Sequence, residues 1–141
     1  MNSADVLRAT VRIAASPAEV FPYLVDPALI VQWIGISADL NPQPGGVFAL
    51  DFRDTSARGT YVSVEPPDRV VFTWGIPGND ALPPGTSTVE IVLKADGDET
   101  IVELTHRDLP ADMRPSHLEG WEACFDALRR AAIAEGDSQR S

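Results

Sequence analysis

The sequence has few cysteines and few histidines, and these shortages narrow its chemistry. Cys124 is the only cysteine, so the chain can form neither an internal disulfide nor a cysteine-rich metal cluster. The two histidines and the scattered acidic residues do not have the spacing of zinc ligands. We therefore expect no metal site and no cofactor.

Positive charge and long apolar runs are also scarce. The 11 basic residues stand against 21 acidic ones, which gives a net charge of −10. This charge opposes binding to the phosphates of nucleic acid or to anionic membranes. The sequence shows neither a leader pattern nor a run near the roughly 18 apolar residues of a membrane span. We therefore expect neither nucleic acid nor a membrane as partner, and by default a cytoplasmic location.

The composition is otherwise that of one globular domain. Of the 141 residues, 44% are hydrophobic and 23% are charged, which is typical of a chain that buries an ordinary core. We detect no internal repeat and no linker. The sequence predicts a single domain over residues 5–135, with flexible ends at 1–4 and 136–141.

Most of the chain alternates between apolar and polar residues, as half-buried strands do. Strands are predicted near residues 5–13, 36–40, 48–53, 58–64, 69–74, 88–94 and 101–107. The strand at 58–64 is ambiguous, because Tyr61 competes with Val62 and Val64 for the inner face. Turn residues at 41–46, 66–68 and 95–98 and a long loop at 76–85 separate the strands.

Helices are predicted immediately after the first strand and after the last one. Ser16 to Glu19 forms a capping box before a short helix that continues past Pro22, and Asp26-Pro27 begins a second one that ends near Trp33. Ser116 and Glu119 are expected to cap a long helix that runs to Ala134. Its apolar stripe is Leu118, Trp121, Phe125, Leu128 and Ala132.

Beside that stripe runs a second line made mostly of small residues, which would let a neighbouring element approach closely. Its members are His117, Gly120, Cys124, Ala127 and Ala131. The order of strand, two short helices, about six strands and one long helix predicts an α+β fold with an antiparallel sheet.

This order, with the motifs on it, resembles the helix-grip (SRPBCC) superfamily of START domains, birch-pollen-type allergens and polyketide cyclases. Within it, the chain is similar to the family named for the activator of the heat-shock-protein-90 ATPase. The resemblance covers residues 5–135. The motifs that carry it lie at Ser16–Phe21, Asp26–Trp33, Pro44–Gly46, Glu65–Trp74, Leu104–His106 and Gly120-Trp121.

The resemblance implies a curved sheet of six to seven strands wrapped around the C-terminal helix. An internal cavity would lie between them, with the two short helices closing one end. The eukaryotic co-chaperones of the family carry an additional N-terminal domain, and these 141 residues contain no counterpart of it. A chaperone partner is therefore the less favoured expectation.

Inward-facing residues of the strands and the helix are expected to line this cavity as its ligand-binding residues. They are Trp33, Phe48, Leu50, Phe52, Tyr61, Phe72, Trp74, Ile91, His106, Trp121 and Phe125. The alternative is that the same side chains interdigitate into a solid core, which periodicity cannot distinguish from a pocket. A dry void of about 300 Å³ would cost about 7 kcal/mol, so a pocket should be partly collapsed, wet around His106, or occupied.

His106 is the one titratable group predicted to point inward. It is the sole candidate for a general base, and no catalytic residue is assigned. The alternative is a structural histidine that a backbone carbonyl or Tyr61 satisfies. His117, at the start of the last helix, is expected to be a neutral surface residue.

Three functions are compatible with these features. The favoured one is a binding protein for a small hydrophobic or aromatic molecule, rather than an enzyme. The second is a cyclase or hydrolase that uses His106. The third is a co-chaperone-like interaction module that uses the acidic exterior and the loop at 76–85. An exposed sheet edge could also support a homodimer.

Overall fold

A seven-stranded antiparallel sheet and one long helix make up most of the structure. The computed structural model describes residues 6–140, with side chains as far as Ile133, so the expected lead-in at 1–4 and Ser141 lie outside the described residues. The elements, in chain order, are β1 (Val6–Ile13), α1 (Pro17–Val20), α2 (Pro22–Val25), α3 (Pro27–Ile30), β2 (Ser37–Leu40), β3 (Val47–Asp51), β4 (Ser56–Glu65), β5 (Arg69–Trp74), β6 (Ser87–Asp96), β7 (Glu99–Arg107) and α4 (Arg114–Arg140).

The sheet is a meander from β2 to β7 that β1 completes. The spatial order is β1-β7-β6-β5-β4-β3-β2, and every pairing is antiparallel. β6 and β7 are joined by the two-residue turn Gly97-Asp98, in which Gly97 has a φ of +62°. The sequence therefore predicted the α+β class and the antiparallel sheet correctly.

The short helices after β1 differ from the prediction in number. The capping box is confirmed, because Glu19 N–H donates to Ser16 Oγ (3.3 Å) and Ser16 N–H donates to Glu19 Oε1 (2.9 Å). The predicted helix through Pro22 is instead two single turns that meet at Phe21. Pro22 has no N–H to continue the hydrogen-bond ladder, so the chain can only restart a helix there.

The third short helix and strand β3 form where the sequence predicts them, but both end earlier than predicted. Asp26 caps α3, since its carboxylate accepts a hydrogen bond from Ala28 N–H at 2.8 Å. α3 ends at Ile30, earlier than the predicted end near Trp33. β3 ends at Asp51, and Phe52 lies beyond it in a turn.

A β-bulge in β4 resolves the conflict in its sequence pattern. Tyr61 and Ser63 pair with consecutive residues of β5, so Val62 between them is an extra residue. This extra residue reverses the alternation of faces. Tyr61 is consequently buried, Val64 packs against the core from the other side of the bulge, and Val62 is 51% exposed.

The long helix begins earlier than predicted. α4 starts at Arg114, directly after a 3₁₀ turn over residues 111–113. The predicted capping box is wrong, because Ser116 Oγ donates to the Met113 carbonyl (3.1 Å) instead of capping Glu119. Pro115 fits the first turn of a helix, and that signal marks the true start.

The apolar stripe of α4 lies against the sheet as predicted. Trp121, Phe125, Leu128 and Ala132 are buried in one core cluster with the inner face of the strands, and α4 also packs on β1. The helix continues to Arg140, so the predicted tail at 136–141 falls largely on its last turns. Within residues 6–140, no helix combines the length and apolarity needed to cross a membrane.

Two glycines should respond in opposite ways to the same substitution. A Cβ on Gly59 would lie 1.9 Å from the carbonyl oxygen of Thr73, whereas one on Gly120, inside α4, meets no atom within 4 Å outside its own stretch of helix. We expect Gly59→Ala to lower the free energy of unfolding by about 1–3 kcal/mol and Gly120→Ala to raise it by about 1 kcal/mol. Urea denaturation followed by circular dichroism measures both, and a wild-type midpoint for Gly59→Ala would contradict the close strand contact.

Candidate ligand-binding cleft

The space beneath the centre of the helix is filled by side chains. The predicted cavity residues enclose a gap of only about 10 Å³, which is at most the room of one water molecule. The rings of Trp74 and Trp121 are in contact, with centroids 5.2 Å apart. Phe48 and Phe72 stack at 3.9 Å. At this position the side chains therefore interdigitate, as in the solid-core alternative, and leave almost no space for a ligand.

A larger opening lies to one side of the two tryptophans. It has a volume of about 250 Å³ and lies between the first half of α4, the turn before β4 and Ile76 after β5. Thr55, Ser116 and Gly120 are exposed at its rim, so we call it the cleft. Its lining residues are Ile34, Phe52, Thr55, Ser56, Ala57, Trp74, Ile76, Ser116, His117, Gly120, Trp121 and Cys124.

Small residues on α4 leave the room for the cleft. The line of His117, Gly120 and Cys124 faces the opening, and a Cβ on Gly120 would meet open space. We predicted that this line allows a close approach between elements. Gly120 borders open space, whereas Cys124 also packs against the core and the ring of His117 lies 5.8 Å from that of His106 on β7.

The turn between β3 and β4 forms the opposite wall. Phe52 N–H donates to the Thr55 carbonyl at 2.8 Å, which closes a tight turn after β3. The turn holds the half-buried ring of Phe52 edge-on to Trp74, at 6.4 Å between centroids. An aromatic wall is thereby built from a residue that lies outside the regular strand.

The structure divides the predicted ligand-binding residues into two groups. Phe52, Trp74 and Trp121 line the cleft. The others are buried in the core, where most of them surround the closed gap: Trp33, Phe48, Leu50, Tyr61, Phe72, Ile91, His106 and Phe125. The sequence pattern predicted these three aromatic residues but not Thr55, Ser56 and Ala57, because the predicted strand began only at residue 58 and the turn before it carries no periodic signal.

His106 lies at the centre of a hydrogen-bonded chain behind the cleft. Trp121 Nε1–H donates to His106 Nδ1 (3.2 Å), and His106 Nε2 lies 2.9 Å from Ser87 Oγ. The hydroxyl of Ser87 donates to the carbonyl of Trp74 at 2.6 Å. Because that hydroxyl has a single proton, its oxygen accepts from His106 Nε2–H. Both ring nitrogens of His106 are therefore occupied.

Burial keeps this imidazole neutral. Desolvation, with a smaller contribution from His117, lowers the pKa of His106 from 6.5 to about 3. Its inward orientation is confirmed, but its partners are Ser87 and Trp121, whereas the hydroxyl of Tyr61 donates to the Leu24 carbonyl (3.3 Å). With no free nitrogen, His106 positions Trp121 and is not arranged as a general base.

His117 and Cys124 are the titratable groups in the cleft wall. His117 Nδ1 lies 3.1 Å from the Met113 carbonyl, so it donates and Nε2 is the acceptor of the neutral ring. Burial lowers the pKa of this half-buried histidine, which was expected on the surface. Burial also raises the pKa of Cys124 to about 11, so its thiol is a poor nucleophile. No three metal-ligating side chains converge anywhere in the described part of the chain.

Trp74 brings an unused hydrogen-bond donor to the cleft wall. Its Nε1–H is the one buried side-chain polar atom of the described residues that has no hydrogen-bond partner. Leaving such a group unpaired costs about 1–3 kcal/mol. The cleft is therefore apolar in its walls, and two of its lining residues carry polar groups: Trp74 a buried, unpaired N–H and His117 a neutral imidazole.

Comparison with known proteins relates this architecture to a family. The sequence profile described as Activator of Hsp90 ATPase homolog 1-like protein matches residues 14–132. CalU16 from Micromonospora echinospora is 29% identical over 94% of this chain and 79% of its own, with a TM-score of 0.76. A comparison with curated protein sequences gives no match.

Two further solved structures share the fold at lower identity. Protein MLL2253 from Mesorhizobium loti has a TM-score of 0.81 at 20% identity, over 92% of this chain and 97% of its own. The Aha1 dimer from Colwellia psychrerythraea has a TM-score of 0.80 at 15% identity, over 90% and 95%. The predicted helix-grip fold is thereby confirmed.

The two histidines should hold opposite neutral tautomers. The hydrogen bonds described above require Nε2–H at His106 and Nδ1–H at His117. Long-range ¹H–¹⁵N NMR at pH 7 distinguishes the two forms, and His117→Asn assigns the signals. An Nδ1–H tautomer at His106 would contradict the direction of the chain through Ser87.

Stability should fall as the solution becomes acidic. Between pH 6.5 and about 3 the unfolded state binds a proton at His106 that the folded state excludes, so protonation favours unfolding. From pH 7.5 to 5.5 we expect His106 to lower the free energy of unfolding by about 1.4 kcal/mol. Urea denaturation at the two pH values measures this, and His117→Asn should retain most of it. Equal stability at both pH values would show that His106 is not held neutral.

Proposed function

The chain belongs to the Activator of Hsp90 ATPase homolog 1-like family of the SRPBCC helix-grip superfamily, and we propose that it binds a small apolar or aromatic molecule in the cleft. The observation that carries this proposal is the opening of about 250 Å³ that the Trp74–Trp121 pair borders. Small-molecule sites are concave and mostly apolar, with a few polar groups, and usually occupy about 300–1,000 Å³. A ligand of one or two rings suits the cleft, and a larger one would extend through the open side.

The walls supply affinity without specific chemistry. The rings of Phe52, Trp74 and Trp121 line the cleft together with Ile34 and Ile76. Each 100 Å² of apolar ligand surface that they cover contributes about 2.5 kcal/mol. Because contacts in the core already fix Trp74 and Trp121, ligand binding costs little side-chain conformational entropy at these two residues.

The polar groups of the cleft orient the ligand. The exposed residues Thr55 and Ser116 lie at the rim, and His117 presents a neutral imidazole. The net charge of −10 disfavours an anionic ligand. We therefore expect a neutral or cationic molecule rather than an anion.

The alternatives have less support. A cyclase or hydrolase that uses His106 would need a ring nitrogen free to take a proton, and both nitrogens are hydrogen-bonded. A chaperone partner stays a prediction, as does self-association. The Aha1 structure from Colwellia psychrerythraea is a dimer, and β1 and β2 are the edge strands at which a second copy of this chain could add.

Filling the cleft from Gly120 should abolish binding while leaving the fold intact. We expect N-phenyl-1-naphthylamine, a neutral probe that becomes fluorescent in apolar surroundings, to bind the wild type. Gly120→Leu places a side chain in the open space beside the helix and should weaken binding at least about tenfold, a change of about 1.4 kcal/mol. Probe fluorescence gives the affinity, and urea denaturation confirms folding.

The matched control adds the same side chain to an exposed position of the same helix. Ala123 is exposed and does not line the cleft, so Ala123→Leu should bind the probe as the wild type does. Equal affinities for Gly120→Leu and Ala123→Leu would place binding elsewhere and contradict the proposal.

A further inference from the structure

The three tryptophans use their indole N–H groups differently. Trp33 Nε1–H donates to the Tyr23 carbonyl (2.8 Å), and Trp121 Nε1–H donates to His106 (3.2 Å). Trp74 is equally buried, with 6% of its surface exposed, but its Nε1–H has no partner. Trp74, which has the unused donor, is the last residue of β5 and lines the cleft.

No nitrogen or oxygen atom of the described residues accepts a hydrogen bond from this group. The rings of Phe48, Phe52 and Phe72 surround it and offer no lone pair. The nitrogens of His106 are committed to Trp121 and Ser87. A phenylalanine at position 74 would make similar ring contacts without an unpaired donor, so the indole adds a cost that the fold does not require.

An acceptor can reach the donor only if a neighbouring group moves, because the Nε1 atom is buried. Of the aromatic rings that contact Trp74, Phe52 alone is partly exposed, and the others are buried. Phe52 also lies in a turn rather than a strand and lines the cleft.

We propose that Trp74 Nε1–H donates a hydrogen bond to an acceptor oxygen of the ligand, and that Phe52 moves aside to admit it. The ligand class is then an apolar ring system that carries a ketone, aldehyde or ether oxygen at its buried end. This inference rests on the proposed function, since it assigns the chemistry of the molecule that the cleft holds.

Two naphthalenes of similar shape test the acceptor. 2-Acetonaphthone carries a carbonyl oxygen where 2-isopropylnaphthalene carries a methyl group. Tryptophan fluorescence gives the dissociation constants, and their ratio measures the preference for the ketone. We expect Trp74→Phe to reduce this preference by about 3- to 10-fold, because a neutral hydrogen bond is lost.

Trp33→Phe is the matched control, because it makes the same change at an indole outside the cleft. It should leave the preference for the ketone unchanged.

A second readout uses the wild type alone: the Trp74 indole N–H signal in a ¹H–¹⁵N spectrum should move downfield with the ketone and not with the hydrocarbon. This readout holds even if Trp74→Phe does not fold.

The outcomes separate the two proposals. In one outcome, both naphthalenes bind the wild type and Gly120→Leu weakens the binding of both, which keeps the cleft as the site. If the preference for the ketone is then the same in the wild type and in Trp74→Phe, the proposed hydrogen bond from Trp74 is wrong. Loss of the preference in Trp33→Phe as well would assign the effect to packing and overturn the inference. If neither naphthalene binds the wild type, the proposed function and this inference both fail.

Discussion

The contact between Trp74 and Trp121 is the interaction on which the arrangement of the site depends. It joins β5 to α4, and the hydrogen bonds through His106 and Ser87 tie the same two residues to β7 and β6. In this series of hydrogen bonds, from Trp121 through His106 and Ser87 to the Trp74 carbonyl, each donor has one acceptor. The two tryptophans therefore have little freedom to separate. The interior is closed at this point, and the cleft lies beside the pair instead of beneath it.

Closing the interior is also the less costly solution for stability. A sealed, dry cavity of the same volume as the cleft would cost about 6 kcal/mol, comparable with the whole stability of a typical domain, about 5–15 kcal/mol. The cleft avoids much of this cost because its rim at Thr55 and Gly120 is open. The buried aromatic core therefore supplies stability, and the small residues of α4 supply the room.

The sequence predicts the parts of this structure that repeat. Alternation gave the seven strands, and the stripe from Trp121 to Ala132 gave the buried face of α4. Irregularities at single residues, which interrupt the alternation of a strand or the hydrogen bonds of a helix, could not be predicted from the sequence pattern. The conflict between Tyr61 and Val62 marked an irregular strand without showing that Val62 is an extra residue, and Pro22 restarts a helix that its neighbours would continue. The cleft depends on such a detail, the turn after Phe52, so only its aromatic wall was predictable.

A methyl-resolved NOESY spectrum of the protein bound to N-phenyl-1-naphthylamine would locate the ligand directly. The account predicts contacts from the probe's ring protons to the methyl groups of Ala57 and Ile76, which line the cleft. Contacts confined to Ile91 and Leu104, which are buried in the core, would contradict it. They would show that the Trp74–Trp121 contact opens and that the ligand enters the interior.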